Sequence, residues 1–175
     1  MRLIVVVAGL AAIAISASAA GGRTAVNPCR GGNLTGAFAV VLGSPGAGSI
    51  SYDLRVRNRS AASCYVSGIP RLQLLGKSGT PLPTKVIRVS AGRPVPARLV
   101  LRPGAYAAAT ARFSPDIPGP GEPQRGRCEP LTYSVRVTPA SNGSLVVPAK
   151  PPTSVCEHGT IQLTVFVAGR HGPRS

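Results

Sequence analysis

Residues 49–58, Ser-Ile-Ser-Tyr-Asp-Leu-Arg-Val-Arg-Asn, alternate apolar and polar side chains with almost no fault. A β-strand sends successive side chains to opposite faces. The pattern therefore buries Ile50, Tyr52, Leu54 and Val56 together and leaves Ser51, Asp53, Arg55 and Arg57 to solvent. A helix of period 3.6 cannot gather the first four onto one side. The same alternation returns in 132–137, with Tyr133, Val135 and Val137 inward, and in 161–167, where Ile161, Leu163, Val165 and Val167 share a face. It is weaker in 34–42, whose best core candidates are Phe38 and Val40. Short strand-like runs at 71–75 and 85–89 extend the series, which 21 glycines and 18 prolines punctuate.

The runs 98–101 and 105–113 flank Arg102-Pro103-Gly104-Ala105, which places Pro103 and Gly104 at the central positions of a type II turn. A hairpin is predicted. Its second arm is rich in alanine, a helix former, but it is short, lacks an N-cap and follows a tight turn, so it reads as a strand. Two stretches read as loops: 114–127, broken by Pro115, Pro118, Pro120 and Pro123, and 139–155, broken by Pro148, Pro151 and Pro152 around a short edge strand at 145–147. Seven to nine strands with no helix among them predict an all-β antiparallel β-sandwich over 29–169. Residues 170–175 read as a polar, disordered tail.

The N-terminus predicts export. Met1-Arg2 gives a positive start, Leu3–Ile15 is an uncharged run of 13 residues, and Ala17-Ser18-Ala19 is the small-x-small pattern of a cleavage site. Residues 1–19 are therefore read as a signal peptide and 20–28 as a flexible lead. The apolar run is shorter than the roughly 20 residues of a spanning helix, and no integral membrane segment is expected after cleavage. Localisation is expected to be secreted or extracellular, with association to the cell envelope. In that compartment the four cysteines, Cys29, Cys64, Cys128 and Cys156, read as two disulfides. If successive strands run up and down, all four lie at one pole, which favours Cys29–Cys156 with Cys64–Cys128 over the two other pairings. Zinc fails on spacing: no cysteines lie within two to four residues of each other, and the histidines are only His158 and His171.

Net charge is +15, with 17 arginines and 3 lysines against 5 acids. Such a surface attracts polyanions, although scattered arginines also serve simply to solvate a protein. Arg55 and Arg57 share the solvent face of one strand, and Arg112 and Arg136 take outward positions on others. If those strands share a sheet, the four form an anion-binding patch for a phosphate-bearing envelope polymer or anionic lipid. No catalytic motif appears. Glu157-His158 beside Cys156, and Glu122 with Glu129 flanking the proline-rich loop, are the candidate acid–base groups, though solvated loop carboxylates are far commoner. No catalytic residue, metal or cofactor is expected. With seven aromatics and no basic–aromatic interleaving, no nucleic-acid partner is expected either.

The segment Asn58-Arg-Ser-Ala-Ala-Ser-Cys64-Tyr-Val-Ser-Gly68-Ile-Pro70 leads into Leu72-Gln-Leu-Leu75-Gly76, and Leu101-Arg-Pro-Gly104, Cys128 and Cys156 follow. In this order the pieces resemble the actinobacterial family catalogued as domain of unknown function 4232. The resemblance covers about 29–169 and implies a secreted or envelope-associated Ig-like sandwich with no assigned activity. The shared residues read as architecture. Gly68 and Gly104 suit turns, Pro70 stiffens the start of a strand, and the Asn58 side chain suits bonding to backbone amides of the next turn. The expected role is a non-enzymatic binding or interaction module at or outside the envelope. The alternatives are a structural accessory supporting an envelope protein, or a hydrolase whose site the sequence does not reveal.

Overall fold

The computed structural model describes residues 25–90, 98–140 and 143–174; the expected signal peptide lies outside them. The protein is an all-β sandwich, with twelve strands among the described residues. They are β1 (Asn27–Pro28), β2 (Leu34–Val40), β3 (Ile50–Asn58), β4 (Cys64–Ser67), β5 (Arg71–Leu75), β6 (Lys85–Val89), β7 (Arg98–Leu101), β8 (Tyr106–Phe113), β9 (Thr132–Thr138), β10 (Leu145–Thr153), β11 (Thr160–Thr164) and β12 (Val167–Ala168). One sheet runs β1-β4-β7. The other runs β5-β9-β10-β2-β3-β8-β11-β6, with β12 also against β8. The count exceeds the expected seven to nine partly because β1 and β12 are only two residues long. The last two residues of the expected lead form β1.

The alternation of β3 sets the core. Tyr52, Leu54 and Val56 are fully buried, and the Tyr52 ring packs against Phe38 of β2 and Phe113 of β8 with centroids 4.9 and 5.3 Å away. Val66 and Leu101 of the small sheet, and Leu74, Val135 and Val147 of the large one, close around them. Strand β8 shows why a run of alanines extends rather than coils. Ala107, Ala108 and Ala109 are all fully buried, so both faces of the strand are covered there and only small side chains fit.

Five expectations are corrected. The turn at 102–105 forms, with the Ala105 N–H donating to the Arg102 carbonyl at 3.0 Å and Gly104 at φ 78°, but its arms do not pair. Strand β7 joins β4 in the small sheet and β8 joins β3 in the large one, so the turn is a crossover between layers. Asn58 holds that crossover. Its buried side-chain amide donates to the carbonyls of Ala62 (2.8 Å) and Leu101 (3.0 Å), and its Oδ1 accepts the Ser60 N–H at 2.9 Å. The proline-rich stretch expected as a loop holds the nine-residue strand β10, central between β9 and β2. It pairs antiparallel with β9 through Leu145–Pro148 and parallel with β2 only at Ala149 and Lys150, and its ladder to β9 shifts register before Thr153. The break admits prolines that donate no hydrogen bond.

The disulfides join Cys29–Cys64 and Cys128–Cys156, not Cys29–Cys156 and Cys64–Cys128. Up-and-down alternation fails because the sheets are mixed: β1–β4, β2–β10 and β6–β11 are parallel pairs. The Cys29 N–H donates to the Tyr65 carbonyl at 2.8 Å, which sets Cys29 beside Cys64 with Cα atoms 4.9 Å apart. The tail expected to be disordered is laid along β8 instead. The Gly169 N–H donates to the Tyr106 carbonyl, and the Thr110 hydroxyl donates to the Pro173 carbonyl at 2.8 Å. Finally, the alternation in 161–167 breaks at Val165–Phe166, both buried, and Val167 restarts as β12.

Candidate functional site

On the outer face of the large sheet, β3 presents Arg55 and Arg57, as period two requires. The register places Arg57 opposite Tyr106 of β8 and Thr35 of β2, and Arg55 opposite Ala108 and Ala37. Small residues on both neighbours leave a depression between the long side chains. It is an open cleft of about 240 Å³ lined by Thr35, Gly36, Ala37, Arg55, Arg57, Tyr106 and Arg170, with no carboxylate among them. Gly36 is needed there, because a Cβ would lie 2.5 Å from Val147 Cγ1.

The Tyr106 ring organises the cations. The Arg170 guanidinium lies 4.5 Å from its centroid and that of Arg57 lies 5.4 Å away, both within cation–π range. Arg57 Nε also donates to the Gly104 carbonyl at 3.3 Å. Arg170 reaches the cleft because the tail is anchored further on. Asp53, on the same face as Arg55, accepts the Gly172 N–H at Oδ1 (3.1 Å) and meets His171 Nδ1 at Oδ2 (3.1 Å). The nearest acid on this face is thus engaged by the tail. Guanidinium groups offer forked donors to phosphate or carboxylate oxygens, and the cleft lining is cationic.

Of the four arginines read from the sequence, the structure brings Arg55 and Arg57 together. Arg112 stands at the far end of β8, donating from Nε and Nη2 to Ser49 Oγ at 3.2 and 3.0 Å. Arg136 lies on β9, with β10 and β2 between it and β3. Both strands do belong to the large sheet, but the charges do not converge. Tyr106 and Arg170 were not singled out in the sequence. Tyr106 carried a faint signal, as the first outward residue after the 102–105 turn. Arg170 carried none.

Among the remaining residues named above, Gly68 offers its carbonyl to the Phe166 N–H at 2.6 Å. Pro70 is buried between β4 and β5, while Pro103 is exposed in the crossover turn.

A second constellation lies at the end of the Cys128–Cys156 bridge. After Cys156 the chain makes one turn, α1 (Cys156–Gly159), in which Glu157 (φ 56°) and His158 (φ 55°) are left-handed and Gly159 (φ 73°) follows suit. Non-glycine residues pay about 1–2 kcal/mol each for that conformation. The Glu122 carboxylate offsets the cost. It accepts the N–H of Gly119 (2.6 Å) and Glu157 (2.9 Å) at Oε2, and of His158 (2.5 Å) at Oε1. Gly159 has no substitute, because a Cβ would fall 1.9 Å from the Pro83 carbonyl oxygen.

The His158 imidazole folds over this carboxylate, its Nδ1 standing 3.7 Å from Glu122 Oε1 and 3.7 Å from Glu129 Oε1. Burial pushes the Glu122 carboxyl up, but the three amides and His158 outweigh it and hold the group below the ordinary range. Glu129 is pushed up, by burial first and then by the Glu122 charge. Both carboxylates thus meet His158. Glu157, its neighbour in sequence, points away to the rims of two shallow depressions.

A family model described as a domain of unknown function (DUF4232) matches residues 29–166. No curated protein and no solved structure matches the chain.

Proposed function

The chain belongs to the family of the domain of unknown function DUF4232, and from that premise we propose that it is an exported, non-enzymatic module that binds a phosphate-bearing polyanion of the cell envelope. The observation that carries this reading is the convergence of Arg55, Arg57 and Arg170 on one open cleft whose lining holds no acid. A cleft of this kind gives a chain of phosphates several charge-assisted hydrogen bonds at once, and its openness suits a polymer or a bilayer surface better than an enclosed small molecule. Two disulfides fit an oxidising compartment. Among the described residues no helix is long and apolar enough to cross a membrane.

The test is sedimentation of the oxidised domain with cell-wall fractions and, separately, with vesicles of neutral lipid containing an anionic phospholipid. Three phosphate contacts predict a loss of roughly tenfold or more in affinity between about 50 and 200 mM salt. Arg55→Glu/Arg57→Glu is expected to abolish binding to whichever preparation is recognised, whereas Arg112→Glu, outside the cleft, leaves it nearly intact. Equal binding by all three proteins sinks the reading.

A further inference from the structure

We infer that Glu122, Glu129 and His158 form a binding site for a divalent metal ion of the zinc type. His158 Nε2 stands 2.9 Å from the Pro120 carbonyl oxygen. A carbonyl only accepts, so Nε2 donates to it, and this bond turns the Nδ1 edge of the ring towards the carboxylates. Nδ1 faces two carboxylate oxygens, Glu122 Oε1 and Glu129 Oε1, each 3.7 Å away and so beyond hydrogen-bond distance. Three ligand atoms from separate parts of the chain thus surround one space, and the backbone amides of Gly119, Glu157 and His158 hold the Glu122 carboxylate in place there.

The surroundings match what a metal-bound imidazole requires. Such a ring characteristically gives its second N–H to a backbone carbonyl or carboxylate, which fixes its orientation, and Pro120 does this here. Nitrogen and oxygen ligands about 2.0–2.2 Å from a tetrahedral zinc lie roughly 3.3–3.6 Å from each other, so the observed separations need only a slight closure. The donor atoms lie within 4.8 Å of one another. Cys128 and Cys156 are close to Glu122 but are joined to each other, so no thiolate enters the set. One imidazole and two carboxylates suit zinc and exclude the soft-ligand preference of copper(I). The Glu122 and Glu129 side chains are 2% and 15% exposed and that of His158 is 59% exposed, which leaves an outward side for water. Cysteine spacing gave no hint of this site because its ligands are a loop carboxylate pair and a histidine 29 residues beyond the second of them.

The measurement is calorimetric titration of zinc chloride into the oxidised, chelator-stripped protein, repeated with cobalt(II) and its visible absorption. One equivalent is expected to bind, with the intense bands of a four-coordinate cobalt site. Glu129→Gln removes one ligand, and His158→Asn removes another while keeping a residue that tolerates the left-handed backbone. Each is expected to weaken zinc at least tenfold. His171→Ala, at the other histidine–carboxylate pair, is expected to bind zinc like the parent. The proposal is overturned if the parent takes up no zinc. It is equally overturned if both Glu129→Gln and His158→Asn bind zinc undiminished.

Discussion

Thr132 and Tyr52 are both buried hydroxyl-bearing residues, and they behave oppositely. The Tyr52 hydroxyl donates to the Pro151 carbonyl at 2.8 Å, while the Thr132 hydroxyl has no partner within the described protein. An unpaired buried hydroxyl costs about 1–3 kcal/mol, and valine replaces threonine with nearly the same shape. Thr132→Val is therefore expected to raise stability by about 1 kcal/mol in a denaturant titration; a loss would show that the hydroxyl is satisfied after all. For Tyr52, burial raises the phenol above its ordinary value. The folded chain then keeps the proton to higher pH than the unfolded chain does. The resulting stability is complete below about pH 10, the ordinary tyrosine value, and is lost as pH rises from there through the folded value. Stability measured against alkaline pH should fall over that window, and Tyr52→Phe should flatten the fall.

At the scale of elements, the cleft depends on where the C-terminal segment lies. A Cβ on Gly172 would come within 2.3 Å of Thr110 Oγ1 and 2.5 Å of the Ala109 backbone. Gly172→Ala is expected to lift the tail from β8, carry Arg170 away from Tyr106 and weaken polyanion binding several-fold, with global stability changed by less than about 1 kcal/mol. Proteolysis of the tail and the salt dependence of binding would report the two effects, and unchanged binding would remove Arg170 from the cleft. The same scale shows what could be read in advance. Strands β3, β5, β6 and β7 were legible because each is a short apolar or alternating run between breakers. Of β10 only 145–147 was legible, and as an edge strand, since its prolines speak for a loop until a mixed-direction pairing supplies a place for them. The 102–105 turn was visible from its residues, but which strands its arms join depends on Asn58, more than 40 positions away. Arg55 and Arg57 follow from period two alone. Arg170, Tyr106 and the meeting of Glu122 with His158 are set by contacts across the fold, which local patterns do not encode.

For the molecule as a whole, the disulfides are local staples. Cys29–Cys64 ties β1 to the small sheet, and Cys128–Cys156 ties the proline-rich loop to α1, spanning separations of 35 and 28 residues. Loops of that size correspond to roughly 3.5–4 kcal/mol each in the chain-entropy account. Replacing either pair by alanine is expected to cost about that much. Because the two bridges bind different regions, their effects should nearly add. Strong non-additivity in a denaturant titration of the double-bridge variant would contradict this independence.

The neighbours of β2 carry a consequence for biogenesis. This strand, made before most of the others, lies between β3 and β10, and β8 likewise waits for β11. A nascent chain emerging N-terminus first therefore carries raw, unclaimed sheet borders until β10 and β11 arrive. Chaperoning during synthesis, or rapid delivery of those two strands, would protect a half-made chain from sticking to its siblings.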